Sequence, residues 1–364
     1  MIVLVSLCAW VYLFFAHGAF WRSRPQLAAA AAAEFPPDVD IIVPARDEAE
    51  TIRAAIASLL AQDYAGKVSL LLVDDNSSDG TAELAGADPR LRVLRLDSKP
   101  PGWSGKLWAL REGIAATTAP IVLLTDADIV HEPAHLTSLV AKLTGSRLDL
   151  VSEMVRLNCA SLAERMLVPA FVYFFQMLYP FARVNSAHSK VAAAAGGTVL
   201  VRRETLDRIG GIEAIRDALI DDVALARAVK SGGAIYLGHS GLAASIRRYP
   251  SFVDIWHMIS RTAFTQLHYS AALLLATVAA LMVIWLVPPW AAIFGSGWRQ
   301  GCGIAASILA ALSYLPTLHR YQRTFLWALA LPFIALFYMA ATLGSAVNHW
   351  RGQGANWKNR AYQR

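Results

Sequence analysis

Paired carboxylates stand where this chain could do chemistry, at the ends of apolar runs. Asp126 and Asp128 follow IVLLT in the stretch LLTDADIVH. In an extended chain, residues two apart point to the same side, so these two acids would face one way and repel each other. A divalent cation such as Mg²⁺ or Mn²⁺ cancels that repulsion, since it prefers oxygen ligands and is commonly held by one or two carboxylates plus substrate phosphates. The pattern favours a metal site at Asp126 and Asp128 over the alternative, a solvated turn.

A second acidic pair ends the stretch LLLVDDNSSDG. Asp79 and Thr81 suit the cap of the following helix, which is a structural role. Asp74 and Asp75 cannot both be caps, so we expect Asp75 to contact a ligand. No G-x-G-x-x-G follows the first strand and no Walker lysine loop occurs in the sequence, which argues against a dinucleotide or P-loop site.

The third pair opens LIDDVALARAVKSGG. One of Asp221 and Asp222 could cap the helix that follows, and the other is then free to act as a general base. Lys106, in PGWSGKLWAL, could meet phosphates as a point charge, and the neighbouring Gly102 and Gly105 favour a ligand-facing loop. A solvated loop lysine is the alternative.

An α/β domain is predicted to position these residues. Apolar runs alternate with helical periodicity from residue 39 onward, and the runs are apolar on both faces, which favours a mostly parallel sheet with helices on both sides. Ligands bind beyond the carboxyl ends of such strands, where the acids stand. The predicted strands are 40–44, 68–73, 91–96 and 121–125, with helices over 48–62 and from 81.

Apolar segments flank this domain and indicate a membrane protein. The chain is 56% hydrophobic and 16% charged. Residues 1–21 are predicted to form an uncleaved anchor, with a buried helix of a soluble fold as the alternative, and 22–38 form a linker. Arg22 and Arg24 after the anchor place the domain on the cytoplasmic side of the inner (cytoplasmic) membrane. Further multi-pass segments at 271–287, 304–318 and 325–347 lie within 267–348; the second is short and could be re-entrant or tilted.

Basic residues lie beside these segments. The net charge of +6 is best explained by Lys and Arg near lipid head groups, including a basic tail over 349–364, and the bilayer rather than nucleic acid is the expected partner. Because three crossings cannot place both the cluster at 319–323 and the tail on the cytoplasmic side, the topology stays open. Residues 158–184 are unusually apolar, and Pro169 and Pro180 are expected to break them; they form either interfacial helices that lead a lipid to the site or a helix packed on the last spans.

Several short motifs in order resemble family 2 glycosyltransferases, which are inverting enzymes with the GT-A fold. The motifs are VPARDE, LLLVDDNSSDG, PGWSGK, LLTDAD, AGGTVLVRRETL and DDVAL, within about 39–266. Similarity to membrane-bound, lipid-acting members extends to the C-terminal apolar segments and the NWKNRAY tail. Within these, the chain looks most like glycosyltransferases associated with hopanoid biosynthesis.

The resemblance implies a role for each matching residue. Asp222 would be the catalytic base, because Leu225 follows at the family's D-x-x-L spacing, and Asp221 stands where the family usually has Glu. Asp128 would be the direct metal ligand. The residues implied on the donor side are Pro44, Glu48, Asp75, Lys106 and Asp126, of which Pro44 and Asp75 would border the base and Asp126 the ribose or the metal. Those implied on the acceptor and diphosphate side are Gly196, Gly197, Asp221 and Arg261.

One departure concerns a motif of processive members, in which Gln or Arg stands three residues before an Arg-Trp pair. Here MISRT keeps only Arg261, so a processive polymerase is not expected and the grip of Arg261 on the diphosphate is in question. The expected function is metal-dependent transfer of a sugar from a nucleotide-diphosphate donor, UDP-linked by first expectation, to a lipid hydroxyl, with a hopanoid as one acceptor. The rival interpretations are a nucleotidyltransferase, for which VPARDEAET lacks a Gly-rich loop, and a non-catalytic scaffold or nucleotide-sugar-binding protein.

Overall fold

The computed structural model describes residues 1–31, 34–352, 356–357 and 360–361. The chain forms two compact units. The sheet unit comprises residues 24–158, 183–248 and 356–364, and the helical unit comprises residues 1–23, 159–182 and 249–355. Of the predicted tail at 349–364, residues 353–355, 358–359 and 362–364 lie outside the described residues, as do 32–33 of the predicted linker.

One mixed, mostly parallel sheet of eight strands forms the centre of the sheet unit. Its strands are β1 Val39–Ala45, β2 Val68–Asp74, β3 Leu91–Arg95, β4 Ile121–Thr125, β5 Ile129–His131, β6 Leu150–Arg156, β7 Thr198–Arg202 and β8 Ile235–Ser245. The spatial order is β3-β2-β1-β4-β7-β6-β8-β5. The first four of these run parallel, β7 is antiparallel to both neighbours, β6 and β8 are parallel, and β5 is antiparallel to β8. A separate antiparallel pair joins β9 Asn356–Trp357 to β10 Arg360–Ala361.

The helices are numbered in chain order across both units. They are α1 Ile2–Phe15, α2 Ile52–Leu60, α3 Thr81–Leu84, α4 Gly105–Ala115, α5 His135–Gly145, α6 Leu162–Leu178, α7 Phe181–Val184, α8 Arg203–Arg208, α9 Asp221–Lys230, α10 Phe252–Ser260, α11 Ala263–Gln266, α12 Ala271–Leu281, α13 Val287–Phe294, α14 Trp298–Arg320 and α15 Leu331–Trp350. Short 3₁₀ turns cover Ile212–Ile215 and Phe325–Ala330, and a π turn over Met282–Leu286 joins α12 to α13.

Alternate residues of the parallel strands pack against helices on opposite faces of the sheet. All seven residues of β1 are buried. Ile41 and Val43 belong to one apolar cluster with Ile52 and Ile56 of α2 and with residues of α5. Ile42 faces α4, where a side chain on Gly113 would come within 2.6 Å of it, so glycine allows the helix to lie against the sheet. The predicted α/β fold with helices on both faces is confirmed.

The turn after β1 is longer than the sequence pattern indicates. We predicted a helix from residue 48, but α2 begins at Ile52. Residues 48–51 are a turn tied to the segment after β2, because the backbone N–H of Glu48 donates to Thr81 Oγ1 at 2.8 Å and that of Ala49 donates to Asp79 Oδ2 at 2.9 Å. The turn leaves Glu48 buried at the carboxyl end of the sheet.

Among the described residues, three helical segments of the helical unit are long and apolar enough to cross a membrane: Ala271–Phe294, Trp298–Arg320 and Phe325–Trp350. The second segment has 23 residues, so the prediction of a short apolar run over 304–318 was wrong about its length, because the helix continues through polar and glycine residues at its start. The first helix has only 14 residues, about 21 Å at 1.5 Å per residue, which is shorter than the predicted 1–21. Its Trp10 donates from Nε1 to Ile284 O at 2.8 Å.

Helix α6 packs within the helical unit, as one of the two predictions for residues 158–184 required. Tyr173 Oη lies 2.6 Å from Ser313 Oγ on α14, and Tyr338 Oη of α15 donates to Leu167 O at 2.9 Å. The prediction that Pro169 breaks the segment was wrong, since α6 runs continuously through it. Ser161 and Glu164 form a capping box that starts the helix, and the surrounding packing holds it across the proline.

Candidate active site

Lys106 lies at the centre of an acidic cluster beyond the carboxyl ends of the strands. Helix α4 begins one residue earlier, where Ser104 Oγ accepts from the backbone N–H of Leu107 at 3.1 Å. Lys106 Nζ is 2.9 Å from Asp126 Oδ1 and 3.2 Å from Asp221 Oδ2. The lysine side chain is only 19% exposed, which rules out the alternative of a solvated loop lysine.

Asp222 is held by backbone donors next to this lysine. Its Oδ2 accepts from the N–H of Gly196 and its Oδ1 from the N–H of Val223, both at 2.8 Å. A side chain at Gly196 would bring its first carbon within 3.3 Å of both Asp222 Oδ2 and Lys106 Nζ, so glycine leaves room for these two groups. A role of Gly196 toward the acceptor stays a prediction. We predicted that one of the two acids would cap α9, but Ile220 occupies the cap and both acids lie in the first turn.

Burial and neighbouring charges affect the pKa of Asp222 and that of Lys106 differently. Burial and, second, the neighbouring charge of Asp221 raise the pKa of Asp222 to about 7, although Lys106 and the two backbone N–H groups oppose the shift. For Lys106, burial alone would lower the pKa, but the carboxylates of Asp126 and Asp221 hold it above its usual value. The pair therefore consists of a firmly charged lysine beside a carboxyl group that can exchange a proton near neutral pH.

Asp128 lies in a separate part of the same cluster. Ser245 Oγ, at the end of β8, donates to Asp128 Oδ2 at 2.5 Å. Arg247 Nη2 lies 3.4 Å from Asp128 Oδ1 and 2.6 Å from Glu48 Oε1. The antiparallel pairing of Ile129 with Ser245 brings these residues together, although 117 positions separate Ser245 from Asp128. Glu48 and Asp128 are both buried.

The two acids of the LLTDAD stretch do not share one extended strand. Strand β4 ends at Thr125 and the chain turns, with the N–H of Ile129 donating to Asp126 O at 3.2 Å. The same-side argument for Asp126 and Asp128 was therefore wrong, because it assumed extended backbone. The two acids still interact electrostatically. Burial raises the pKa of Asp126, Lys106 lowers it, and the charge of Asp128 raises it.

Asp126 and Asp128 fit a hard divalent cation by the chemistry of their oxygen donors. In the described part of the chain, no three His, Cys, Asp or Glu side chains are grouped to hold a metal ion. Two carboxylates suit Mg²⁺ or Mn²⁺ where substrate phosphates complete the ligand set. Each of the two acids is neutralised by a cation of the chain itself, Asp126 by Lys106 and Asp128 by Arg247.

The segment after β2 has structural contacts, as expected for part of it. Asp79 Oδ1 accepts from the N–H of Thr81 at 3.0 Å, so both residues have local structural contacts. The predicted cap was wrong in its place, because Gly80 occupies the cap of α3 in the left-handed conformation. Asp75 is fully buried, its carbonyl oxygen accepts from Arg46 Nη1 at 2.5 Å, and its carboxylate is 3.7 Å from the same nitrogen. A ligand contact for Asp75 stays a prediction.

A cleft opens at the acidic cluster, with about 360 Å³ of empty space when the open solvent at its mouth is included. Its lining includes the apolar side chains of Pro44, Ile212 and Leu225, which border the charged centre. Its charged and glycine residues are Lys106, Asp126, Gly196, Asp221 and Asp222. Gly197 lies beside it, where its carbonyl oxygen accepts from Thr125 Oγ1 at 2.8 Å. Arg261 belongs to the helical unit, where it follows α10, and its role toward a diphosphate stays a prediction.

Sequence reasoning missed two groups of residues. Ser245 and Arg247 were not singled out, although the arginine pair Arg247 and Arg248 is visible in the sequence. A buried polar chain was also missed: Glu153 Oε2 to His135 Nε2 at 2.6 Å, and His135 Nδ1 to His131 Nδ1 at 2.7 Å. It continues from His131 Nε2 to Thr125 Oγ1 at 3.1 Å, directly before Asp126.

Known proteins resemble part of the chain, including the segments that carry Lys106, Asp126 and Asp128, whereas Asp221 and Asp222 lie beyond the family match. The sequence profile of Glycosyl transferase family 2 matches residues 40–210. An N-acetylglucosaminyltransferase of Mesorhizobium japonicum is 34% identical over 113 residues, which are 29% of this chain and 26% of that relative. Another, from Bradyrhizobium sp. (strain ANU 289), is 33% identical over 111 residues, 28% of this chain and 69% of that relative. The chain belongs to glycosyl transferase family 2.

This family 2 member also shares its fold with a solved enzyme. A mannosyltransferase from Pyrobaculum calidifontis, solved in complex with GDP-Man and Mn²⁺, superposes with a TM-score of 0.59 at 21% identity, over 95% of this chain and 99% of that one. The GT-A fold prediction and the family prediction are therefore confirmed. Neither N-acetylglucosaminyltransferase named above is described by a link to hopanoids, so that finer resemblance stays a prediction.

Proposed function

We propose that this family 2 member transfers a sugar, with inversion at the anomeric carbon, from a nucleotide-diphosphate sugar to a hydroxyl group of a membrane lipid. The observation that carries the proposal is the carboxylate of Asp222, held by two backbone N–H groups next to Lys106 in an acidic cleft. An inverting transfer needs one base for the acceptor and stabilisation of the leaving diphosphate. The cleft offers both within a few ångströms.

Asp222 is the proposed general base. As the acceptor oxygen attacks the anomeric carbon, its O–H proton passes to Asp222, the new C–O bond forms, and the bond to the diphosphate oxygen breaks with its electron pair. A pKa of about 7 suits this task, because a base with a pKa near the working pH is both ionised and basic enough to take the proton. Fixed backbone donors hold the carboxylate in place before the acceptor arrives.

The donor side is proposed to lie at Lys106, Asp126 and Asp128. Lys106 presents a firm positive charge toward the cleft and would meet the diphosphate as a point charge. A Mg²⁺ or Mn²⁺ ion held by Asp126 and Asp128 would supply neutralisation of the charge that develops on the departing diphosphate. Pro44, Glu48 and Asp75, at or after the ends of β1 and β2, are proposed to border the nucleotide.

The acceptor side is proposed to be a lipid at the inner membrane. Three helical segments in the part of the chain that the structure describes are long and apolar enough to cross a membrane, which supports an acceptor that lies in the bilayer. Arg22 and Arg24 follow the first helix and support a cytoplasmic sheet unit. Gly196, Gly197, Asp221 and Arg261 are the residues proposed for the acceptor and diphosphate side. A hopanoid is the finer proposal for the acceptor and rests on sequence resemblance.

Release of nucleotide diphosphate tests the proposal. Detergent-solubilised protein would be incubated with Mn²⁺ or Mg²⁺ and a panel of UDP-, GDP- and TDP-sugars, with and without membrane lipid extract or purified hopanoid. We expect metal-dependent release from one donor that rises with lipid and is lost in Asp128→Asn. Arg248→Met serves as the control, because Arg248 lies beyond the end of β8 and no ion pair of it occurs within the described part of the chain. Absence of release from every donor would contradict the proposal and favour a non-catalytic, sugar-nucleotide-binding role.

A further inference from the structure

Arg247 connects three separate segments at the carboxyl end of the sheet. It stands two residues after β8, and its Nη2 reaches Glu48 in the turn after β1 and Asp128 in the turn after β4. The contact with Glu48 is short, at 2.6 Å, and that with Asp128 is longer, at 3.4 Å. The guanidinium is therefore held mainly by Glu48, and it makes a longer contact with Asp128, the expected metal ligand.

Arg247 differs from an ordinary surface arginine because it contacts two buried carboxylates. Both of its carboxylate partners are buried, whereas 28% of its own side chain is exposed, so the arginine is held by buried acids and still reaches solvent. Buried carboxylates without a cation are strongly disfavoured. In the structure as it stands, Arg247 supplies the positive charge that Asp128 needs, as Lys106 does for Asp126.

We propose that Arg247 is a ligand of the donor diphosphate and that it makes binding of the divalent cation depend on the nucleotide. This inference rests on the proposed function. A divalent cation held by Asp128 would share that carboxylate with a guanidinium, and the two positive charges repel. A diphosphate removes the repulsion, because it offers oxygen ligands to the ion and paired acceptors to the planar guanidinium.

The small number of ligands at the metal site also predicts that binding of the cation depends on the nucleotide. Two carboxylates are fewer ligands than a divalent cation usually takes, and no third acidic, histidine or cysteine ligand is grouped with them among the described residues. The cation therefore needs phosphate oxygens to complete its shell, and Arg247 penalises its binding without them. The metal and the nucleotide diphosphate should each tighten the other by the same factor.

Titration of the full-length, detergent-solubilised protein with Mn²⁺ measures this coupling directly. The electron paramagnetic resonance signal of free Mn²⁺ would be followed without nucleotide and with saturating UDP or GDP. We expect Arg247→Met to bind Mn²⁺ roughly tenfold more tightly than wild type without nucleotide, and the tightening caused by the nucleotide to fall by roughly tenfold or more. Arg248→Met is the matched control, since it removes the same charge one position along the chain, and wild-type behaviour is expected.

Arg247→Lys guards against loss of folding, since it keeps a positive charge between Glu48 and Asp128. It should retain the weak nucleotide-free Mn²⁺ binding of wild type and lose part of the nucleotide effect, because an ammonium group does not form paired bonds to a phosphate. An unchanged or weaker nucleotide-free Mn²⁺ affinity in Arg247→Met, or a tenfold gain in Arg247→Lys, would overturn the assignment of Arg247 alone. Wild-type protein that binds no Mn²⁺ with either nucleotide would overturn the proposed function as well.

Discussion

Replacing Asp222 by Asn should lower the transfer activity and yet increase the stability relative to wild type as the pH rises. The reason is that the burial that suits this acid for catalysis also disfavours its charged form. The pKa of Asp222 rises from 3.8 to about 7 on folding, a difference of about 3 units. At about 1.4 kcal/mol per unit, the folded state loses at most about 4 kcal/mol relative to a neutral side chain as the pH rises from 4 to 8. Partial exposure of the residue reduces this to an expected loss of about 1–3 kcal/mol, because solvent screens the charge.

The direction in which stability changes with pH follows from the number of protons that the folded and unfolded states bind. Between pH 4 and pH 7 the folded state keeps a proton on Asp222 that the unfolded state has lost, so this residue's contribution to stability falls as the pH rises. The asparagine of the variant cannot ionise, and its loss of one hydrogen bond from Gly196 or Val223 costs about 1 kcal/mol at every pH. The stability of Asp222→Asn relative to wild type should therefore increase between pH 5 and pH 8.

Thermal unfolding in detergent at pH 5 and pH 8, for wild type and Asp222→Asn, measures this difference. We expect the variant to gain roughly 2–10 °C in Tm relative to wild type between the two pH values. In parallel, transfer should fall by about 10²–10⁴ while nucleotide binding persists. A relative Tm that is unchanged or lower at pH 8 would refute the burial argument, and loss of nucleotide binding would indicate a structural acid in place of a base.

Two more predictions concern groups next to Asp222 and Asp126. Lys106→Met should move the acidic limb of the activity–pH profile upward by about 1–2 units, because Lys106 lowers the pKa of Asp222 and each unit of pKa corresponds to about 1.4 kcal/mol of lost charge interaction. An unmoved limb in a folded variant would contradict it. His131→Gln should reduce the loss of stability between pH 7 and pH 5.5, measured by thermal unfolding. Burial, followed by the neighbouring His135, lowers the pKa of His131 well below 6.5, so below that pH only the unfolded state gains this proton and stability falls. An identical loss in the variant and wild type would count against that assignment.

The parallel half of the sheet was predictable because its signal is local. Strands β1, β2 and β4 are short apolar runs that end in polar turns, and the predicted bounds agree with the observed ones within about one residue. The acids after β2 and β4 were recognisable for the same reason, since each pair follows such a run, whereas Asp221 and Asp222 open α9. The helix expected from residue 48 failed because contacts with Thr81 and Asp79, which are tertiary, stabilise a turn there.

The antiparallel half and its residues were not predictable in the same way. Strand β6 contains buried Glu153, whose charge interrupts the apolar run, and its partner His135 lies on another element. Strand β8 carries His239 and several Gly and Ser residues, so no alternation marks it. Arg247 acquires its place only through the pairing of β5 with β8, which joins residues more than a hundred positions apart.

Inversion at the anomeric carbon is the central chemical claim, and it can be measured without the natural acceptor. Proton NMR would follow slow hydrolysis of the active sugar nucleotide by wild-type protein with Mg²⁺ and identify the first sugar released, before mutarotation mixes the anomers. A single displacement assisted by Asp222 predicts that the first-formed sugar has the anomeric configuration opposite to that of the donor. First release of the same anomer as in the donor would contradict direct displacement and the role of Asp222 as its base.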